Sequence, residues 1–379
     1  MDQTPERRGP GGCAGCLLIL AVLAAIVAVL AGRPLLEGGP EEAAPPMLTA
    51  PASPSPARTG DARPSGRRPG VVNIDTEQGL RMTRAAGTGI LLDGSGLVLT
   101  NNHVIQGATR IRGTVTDNGR RFTADVLGYD KSGDIAVIRL RGAAGLRPAA
   151  FGDSTRAVPG DPVTAVGNAG GKGGSPRAVT GTIIALGRQI TATDQSDGSA
   201  ERLTEMIETD APIRPGDSGG PLLNSTGEVI GVNTAASAGF QMEQNGAQRG
   251  FAIPSNRALT VARQIQRGES SPTVHIGKTP MLGVEVRSVG PRSTGNPTPA
   301  PAASGALISG LIPGGPAEAA GLRRGAVIVA LNGRPVVSPS ALTDLLLLHR
   351  PGDTVQVAWT DTDGRSYTTP VLLAEGPPQ

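Results

Sequence analysis

The sequence predicts a mainly β protein with two folded units, and three observations carry that expectation. Short apolar runs recur between Gly, Asp and Ser punctuation from Val71 onward, without long helices between them. The chain holds 55 Gly and 33 Pro beside four Phe, two Tyr and one Trp, which suits turn-rich strands around aliphatic cores. At 379 residues it is long enough for two ordinary domains with flanking segments.

The first element is an apolar run, LLILAVLAAIVAVLA, Leu17 to Ala31, inside an uncharged stretch from Gly9 to Gly32. Its length is close to the ~20 residues that cross a bilayer. Residues 17–32 are therefore expected to anchor the chain as a single pass. Arg7 and Arg8 in the short segment 1–16 favour a cytoplasmic N-terminus, which places everything after the anchor outside. A cleaved signal peptide, with small residues at Val29 to Ala31, is the competing reading. Cys13 and Cys16 are the only cysteines. They precede this run, supply no disulfide framework and lack the second ligand pair of a structural zinc site, so no metal or cofactor is expected.

Residues 33–70, rich in Pro and Ala, bury too little apolar surface to offset ordering entropy and read as a disordered linker. Residues 71–268 carry the strand pattern, in VVNI, GTGILLDGSGLVLT, FTADVLGYD, DIAVIRL, PVTAVG, AVTGTIIALG, LTEMIETDA, GEVIGVNTAA and GFAIP. Many strands without intervening helices predict a barrel or sandwich, closed by a helix at Ser255 to Arg267. A linker at 269–277 leads to an α+β unit at 278–375. This unit opens with MLGVEV, is interrupted by GPRSTGNPTPAPAASG, and continues through two helices and further strands. Ser338-Pro339 suits a helix start and Gly321 a helix end. The net charge of +3 is scattered and has few aromatics beside it, so nucleic acid is not an expected partner.

Amide hydrolysis by serine needs a base for the hydroxyl proton, an acid to orient the base, and N–H donors for the developing oxyanion. His103 is the only histidine before residue 275, and it follows the apolar strand LVLT. Ten aspartates lie between it and Ser218, so position must choose among them. Asp134 in SGDIAVIRL directly precedes a strongly alternating strand, whereas Asp130 reads as a turn residue. In RPGDSGGPLLN, Ser218 is the candidate nucleophile and Gly216 lets the backbone turn an amide toward substrate. The oxyanion segment is Gly216, Asp217 and Ser218, with Gly216 and Ser218 as donors.

TNNHVI, SGDIAVIRL, TDAPIRPGDSGGPLLN, GEVIGVNT and GFAIP, in this order, resemble the HtrA (Deg) branch of the chymotrypsin-like serine proteases. MLGVEV, PGGPAEAAGLRRGAVIVALNGRPV and PGDTVQV resemble the PDZ domain of that family. The resemblance implies a chymotrypsin-like double β-barrel followed by a PDZ domain, with endoproteolysis of misfolded or damaged extracytoplasmic proteins. A protein-binding chaperone or adaptor with a latent protease fold is the alternative. A homotrimer is also implied, although Val71 to Leu92 lacks the aromatic residues through which the family packs. The family often has Asn where this chain has Asp217, an extra carboxylate that needs a partner. Pro212, six residues before the serine, leaves the specificity pocket uncharged. That pocket is assigned to Pro212, Ile213, Asn233, Thr234 and Ala235, with 233–235 as a substrate-pairing edge and small or medium aliphatic residues cleaved. Gly187 to Arg202 resembles an activation loop. Met281, Leu282, Gly283 and Val284 align with the loop that captures a peptide C-terminal carboxylate.

Overall fold

The structure, a computed structural model, describes residues 70–79, 82–193, 200–234, 249–289 and 304–379. The expected anchor at 17–32, the segment that follows it to residue 69, and Ala235 lie outside the described residues. Among the described residues no helix is long and apolar enough to cross a membrane.

The first barrel consists of β1 (Val71–Gln78), β2 (Thr83–Leu91), β3 (Leu97–Thr100), β4 (Arg110–Val115), β5 (Arg121–Asp130) and β6 (Ile135–Leu140). Its order is β5-β4-β1-β2-β3-β6, and pairing of β5 with β6 closes the ring. β4, RIRGTV, is absent from the sequence reading because its apolar content is low. It nevertheless alternates, with Ile111, Gly113 and Val115 buried and Arg110 and Arg112 exposed. A short helix, α1 (Asn102–Ile105), follows β3.

The second barrel is also closed, in the order β10-β11-β12-β9-β8-β7. Its strands are β7 (Pro162–Gly167), β8 (Arg177–Thr193), β9 (Ala200–Thr209), β10 (Pro221–Leu223), β11 (Val229–Thr234) and β12 (Gly250–Pro254). Much of the expected loop 187–202 is instead a β ribbon, paired out to Thr193 and Ala200. Ile190 and Leu203 bury their side chains along it, which fixes its register. The expected helix forms as α2 (Ser255–Gln266). Rather than lying on one barrel, it buries Ala258, Ala262 and Ile265 in a cluster shared by residues of both barrels, including Leu99, Val137, Val232 and Ile253.

β13 (Val274–Ile276) pairs with β5, so part of the expected 269–277 linker belongs to the first barrel's sheet. The second unit contains β14 (Thr279–Met281), β15 (Val284–Ser288), β16 (Ala306–Leu311), α3 (Pro316–Ala319), β17 (Val327–Leu331) and β18 (Arg334–Pro335). It continues with α4 (Pro339–Leu346), β19 (Thr354–Thr360), β20 (Ser366–Leu372) and β21 (Ala374–Gly376). Its main sheet runs β15-β16-β17-β19-β20, while β14 pairs with β21. The Ser338 hydroxyl accepts the Ala341 N–H and Pro339 follows it, the helix start that the sequence indicated.

The chain then returns to the first barrel. The Gly107 amide donates to the Pro378 carbonyl at 2.8 Å, the Asn102 side-chain amide to the Gln379 carbonyl at 3.0 Å, and the Gln379 amide to the Tyr129 hydroxyl at 3.3 Å. Tyr129 is fully buried, and its hydroxyl also meets the Thr279 hydroxyl at 3.1 Å.

Burial pushes the Tyr129 phenol up to about 12, against the opposing bonds of Thr279 and Gln379. The folded state thus favours the protonated phenol. Its contribution is complete below pH ~10 and is lost as pH rises toward ~12. Melting temperatures measured from pH 9 to 12.5 should therefore fall more steeply for the wild type than for Tyr129→Phe, which at neutral pH should cost about 1 kcal/mol.

Candidate active site

Asp134 stands at the start of β6 with φ +52, a left-handed conformation that costs a non-glycine residue energy unless its surroundings fix it. The fixing contacts are visible. The Asp134 amide donates to Lys131 O, and the Asn101 side-chain amide donates to Asp134 O at 2.9 Å. Asp130 accepts the Ser132 hydroxyl and the Gly133 amide, so it shapes the turn that presents Asp134. Asp130 is buried, not solvated as a plain turn residue would be.

The Asp134 carboxylate is itself buried and accepts from both barrels. His103 Nδ1 lies 3.0 Å from Oδ1 and 2.9 Å from Oδ2, and the His103 backbone amide donates to Oδ1 at 3.1 Å. The Thr234 hydroxyl donates to Oδ2 at 3.2 Å. With Nδ1 protonated toward the carboxylate, Nε2 carries the lone pair that can take a proton. His103 lies in the first turn of α1 rather than in a loop, because Asn101 and Asn102 already start the helix after β3.

The Ser218 segment is tied to this histidine turn through glycine. Gly219 has φ +81, and a Cβ there would lie 2.1 Å from Thr88 O and 2.3 Å from the Thr100 hydroxyl. Only glycine allows the residue after Ser218 to pack on the end of β3. The Thr88 amide donates to Ser218 O at 2.8 Å, and the Gly219 amide to Asn233 O at 2.8 Å. Ser218 is thereby held between β2 of one barrel and β11 of the other.

The oxyanion segment is fixed by its carbonyls. The Gly170 amide donates to Pro215 O at 2.9 Å, while the Thr88 hydroxyl and the Asn168 amide donate to Gly216 O. In a trans peptide the N–H opposes the C=O, so binding Pro215 O toward Gly170 turns the Gly216 N–H the opposite way. Gly216 borders a cleft of about 620 Å³ whose lining also includes Asp75, Glu77, Arg84, Arg112 and Gly171 but neither His103 nor Ser218. The Asp217 amide is spent on Arg214 O at 2.9 Å, which removes it from the donors grouped with Gly216 and Ser218.

Residues 87–232 match the trypsin-like peptidase domain family, and residues 307–355 match the PDZ domain family. Serine protease PepD of Mycobacterium tuberculosis is 33% identical over 319 residues, 81% of this chain and 64% of PepD. Periplasmic serine endoprotease DegP of Escherichia coli K12 is 36% identical over 260 residues, 68% of this chain and 50% of DegP. A solved HtrA-type protease, AlgW with a tripeptide, is 29% identical, with 82% of this chain and 95% of that chain covered and a TM-score of 0.45. The chain thus carries a trypsin-like peptidase domain and a PDZ domain and is similar to HtrA-type serine proteases. It spans less than two thirds of the length of both relatives.

Within this chain, the residues assigned to a substrate pocket divide. Ile213 is half-buried and rests on Gly250, where a Cβ would meet its side chain at 2.8 Å. Pro212 contributes a carbonyl that accepts from Arg177 Nη1 at 3.2 Å. Asn233 is fully buried, and its backbone bonds Gly220 O and the Gly219 amide, so it is no free edge but a clamp on the segment after Ser218. The Thr234 side chain serves Asp134, a role that no local signal in the strand announces.

In the PDZ unit, Leu282 is core and its carbonyl accepts the Ala317 amide. The Gly283 carbonyl accepts the Ile312 amide. Met281 ends β14 and Val284 begins β15, the edge strand of the main sheet. On α4, Leu342 and Leu345 are buried in the core, while Leu346 stays half-buried against it.

Replacing Asp134 by Asn keeps its shape but places an N–H donor where His103 Nδ1 also donates. Turnover of a chromogenic peptide should fall by roughly 10⁴ with thermal stability largely kept.

Proposed function

We propose that this chain is a serine endopeptidase that cleaves misfolded or damaged proteins outside the cytoplasm. In this reading it is held at the membrane by residues 17–32, and its PDZ unit binds peptide C-termini. The observation that carries the reading is the Asp134 carboxylate, saturated by the ring and backbone of His103 and by Thr234. In this reading the arrangement leaves Nε2 to deprotonate Ser218, with the Gly216 amide, opposite a Pro215 carbonyl held by Gly170, as the oxyanion donor.

His103 takes the proton of the Ser218 hydroxyl as its oxygen attacks the scissile carbonyl, then returns it to the leaving amine. Water repeats the sequence to release the acyl group. An uncharged wall at Pro212 and Ile213 supports cleavage after Val, Ala or Leu. The edge of β15 beside α4, unpaired on its outer side among the described residues, supports addition of an extended peptide as a further strand, its terminal carboxylate on the backbone amides around Leu282 and Gly283. The homotrimer implied by family resemblance belongs to the same proposal, and sedimentation of the purified chain measures it.

Unfolded casein incubated with the protein should be degraded, and Ser218→Ala should lower turnover by about 10⁵–10⁶ while a fluorophosphonate no longer labels the protein. Equal cleavage by both proteins would reject the serine mechanism and leave the chaperone alternative. For the PDZ unit, a fluorescent peptide ending in Val should bind at least tenfold more tightly than the same peptide with an amidated C-terminus; equal affinities would reject carboxylate capture.

A further inference from the structure

The carboxylate of Asp217, next to the nucleophile, is 2% exposed. Its Oδ2 accepts the Arg214 amide at 3.0 Å, while its own amide donates to Arg214 O at 2.9 Å. These reciprocal bonds close a turn whose two inner residues are Pro215 and Gly216, the peptide that supplies the oxyanion donor. Oδ1 has no hydrogen-bond partner among the described residues. Gly167 on β7 leaves no room for a side chain beside it, since a Cβ there would lie 2.7 Å from that oxygen. A buried carboxylate with one unsatisfied oxygen needs a counter-charge.

β8 supplies one. Arg177 is the register partner of Gly167 and therefore lies alongside Asp217. Its Nη1 is 3.8 Å from Asp217 Oδ2, an ionic contact, and donates to Pro212 O at 3.2 Å. One guanidinium thus touches the segment on both sides of Arg214, before the turn at Pro212 and at its end at Asp217. Burial pushes the Asp217 carboxyl up, against the Arg214 amide, the charges of Arg177 and Arg214, and the Ala169 amide.

We propose that Arg177 is a positioning residue for the oxyanion donor. Held on the Pro212 carbonyl, its guanidinium supplies the counter-charge that keeps the Asp217 carboxylate in the Arg214–Asp217 turn, and the turn keeps the Pro215–Gly216 peptide oriented as the oxyanion donor. The inference rests on the endopeptidase reading above. It also accounts for an aspartate at a position where asparagine would need no cation.

The test compares full-length wild type with Arg177→Gln, Arg177→Lys and the double variant Arg177→Gln/Asp217→Asn, by steady-state peptide hydrolysis from pH 6 to 9. Arg177→Gln should lower kcat about 10- to 100-fold with KM changed less than about threefold, the signature of an interaction made in the transition state. Its deficit should deepen as pH rises, because the unpaired Asp217 ionises and leaves the turn. The double variant, with no charge to neutralise, should recover to within about threefold of the wild type and lose that pH dependence. Arg177→Lys should fall between the two. A kcat for Arg177→Gln within twofold of wild type, or a double variant as slow as Arg177→Gln, would overturn the proposal. Melting temperatures report the pair without catalysis: Arg177→Gln should lose stability relative to the double variant as pH rises, and parallel curves count against the pairing. Failure of the wild type to take a fluorophosphonate would instead overturn the endopeptidase reading, and the catalytic role of Arg177 with it.

Discussion

A carboxylate removed from water between two barrels has to be saturated with donors, and the arrangement around Asp134 follows from that requirement. Its donors come from α1 and from β11, so neither barrel alone can hold it. The left-handed backbone at Asp134 is tolerated because the Lys131 carbonyl, the Asn101 amide and the Asp130-capped turn fix it from three sides. Removing either barrel's contribution would leave an ionised group buried and under-bonded, so barrel docking and imidazole orientation are one constraint.

The seam between the barrels is built largely from backbone. Thr88 illustrates the economy of this arrangement: its amide holds Ser218 O, its hydroxyl holds Gly216 O, and its carbonyl accepts the Thr100 hydroxyl. A strand of the first barrel thereby positions both Ser218 and the Gly216 peptide of the second. Such contacts require the chains to approach more closely than side chains permit, and this is why glycine flanks Ser218. Fixed dipoles placed in advance of the reaction stabilise developing charge without reorganisation, which is the physical advantage of building the site on barrel walls.

The second unit is joined to the same machinery by its return strand. Residues after β21 bond to Asn102, which precedes His103 on α1, to Gly107 just beyond that helix, and to the buried Tyr129. His275 packs its ring on Tyr129, and its nitrogens face the carbonyls of Leu347 and Lys278. The helix bearing the candidate base therefore touches both units.

What the sequence determined by itself was whatever depends on local pattern or fixed motif. Alternating apolar positions gave the strands, Ser338-Pro339 gave a helix start, and TNNHVI, SGDIAV and GDSGG marked His103, Asp134 and Ser218, because close backbone approach and strand-end placement leave local residue signatures. β4 escaped because two arginines mask a short alternation, and β13 because three residues carry no period. Only the tertiary structure decided the rest. Thr234 serves Asp134 from 100 residues away, Asn233 clamps Ser218 instead of presenting an edge, and Arg177 reaches Asp217 because β7 and β8 pair in one register. Such partnerships depend on which strands become neighbours when a barrel closes, and strand neighbourhood is a property of the closed ring that no single stretch of sequence encodes.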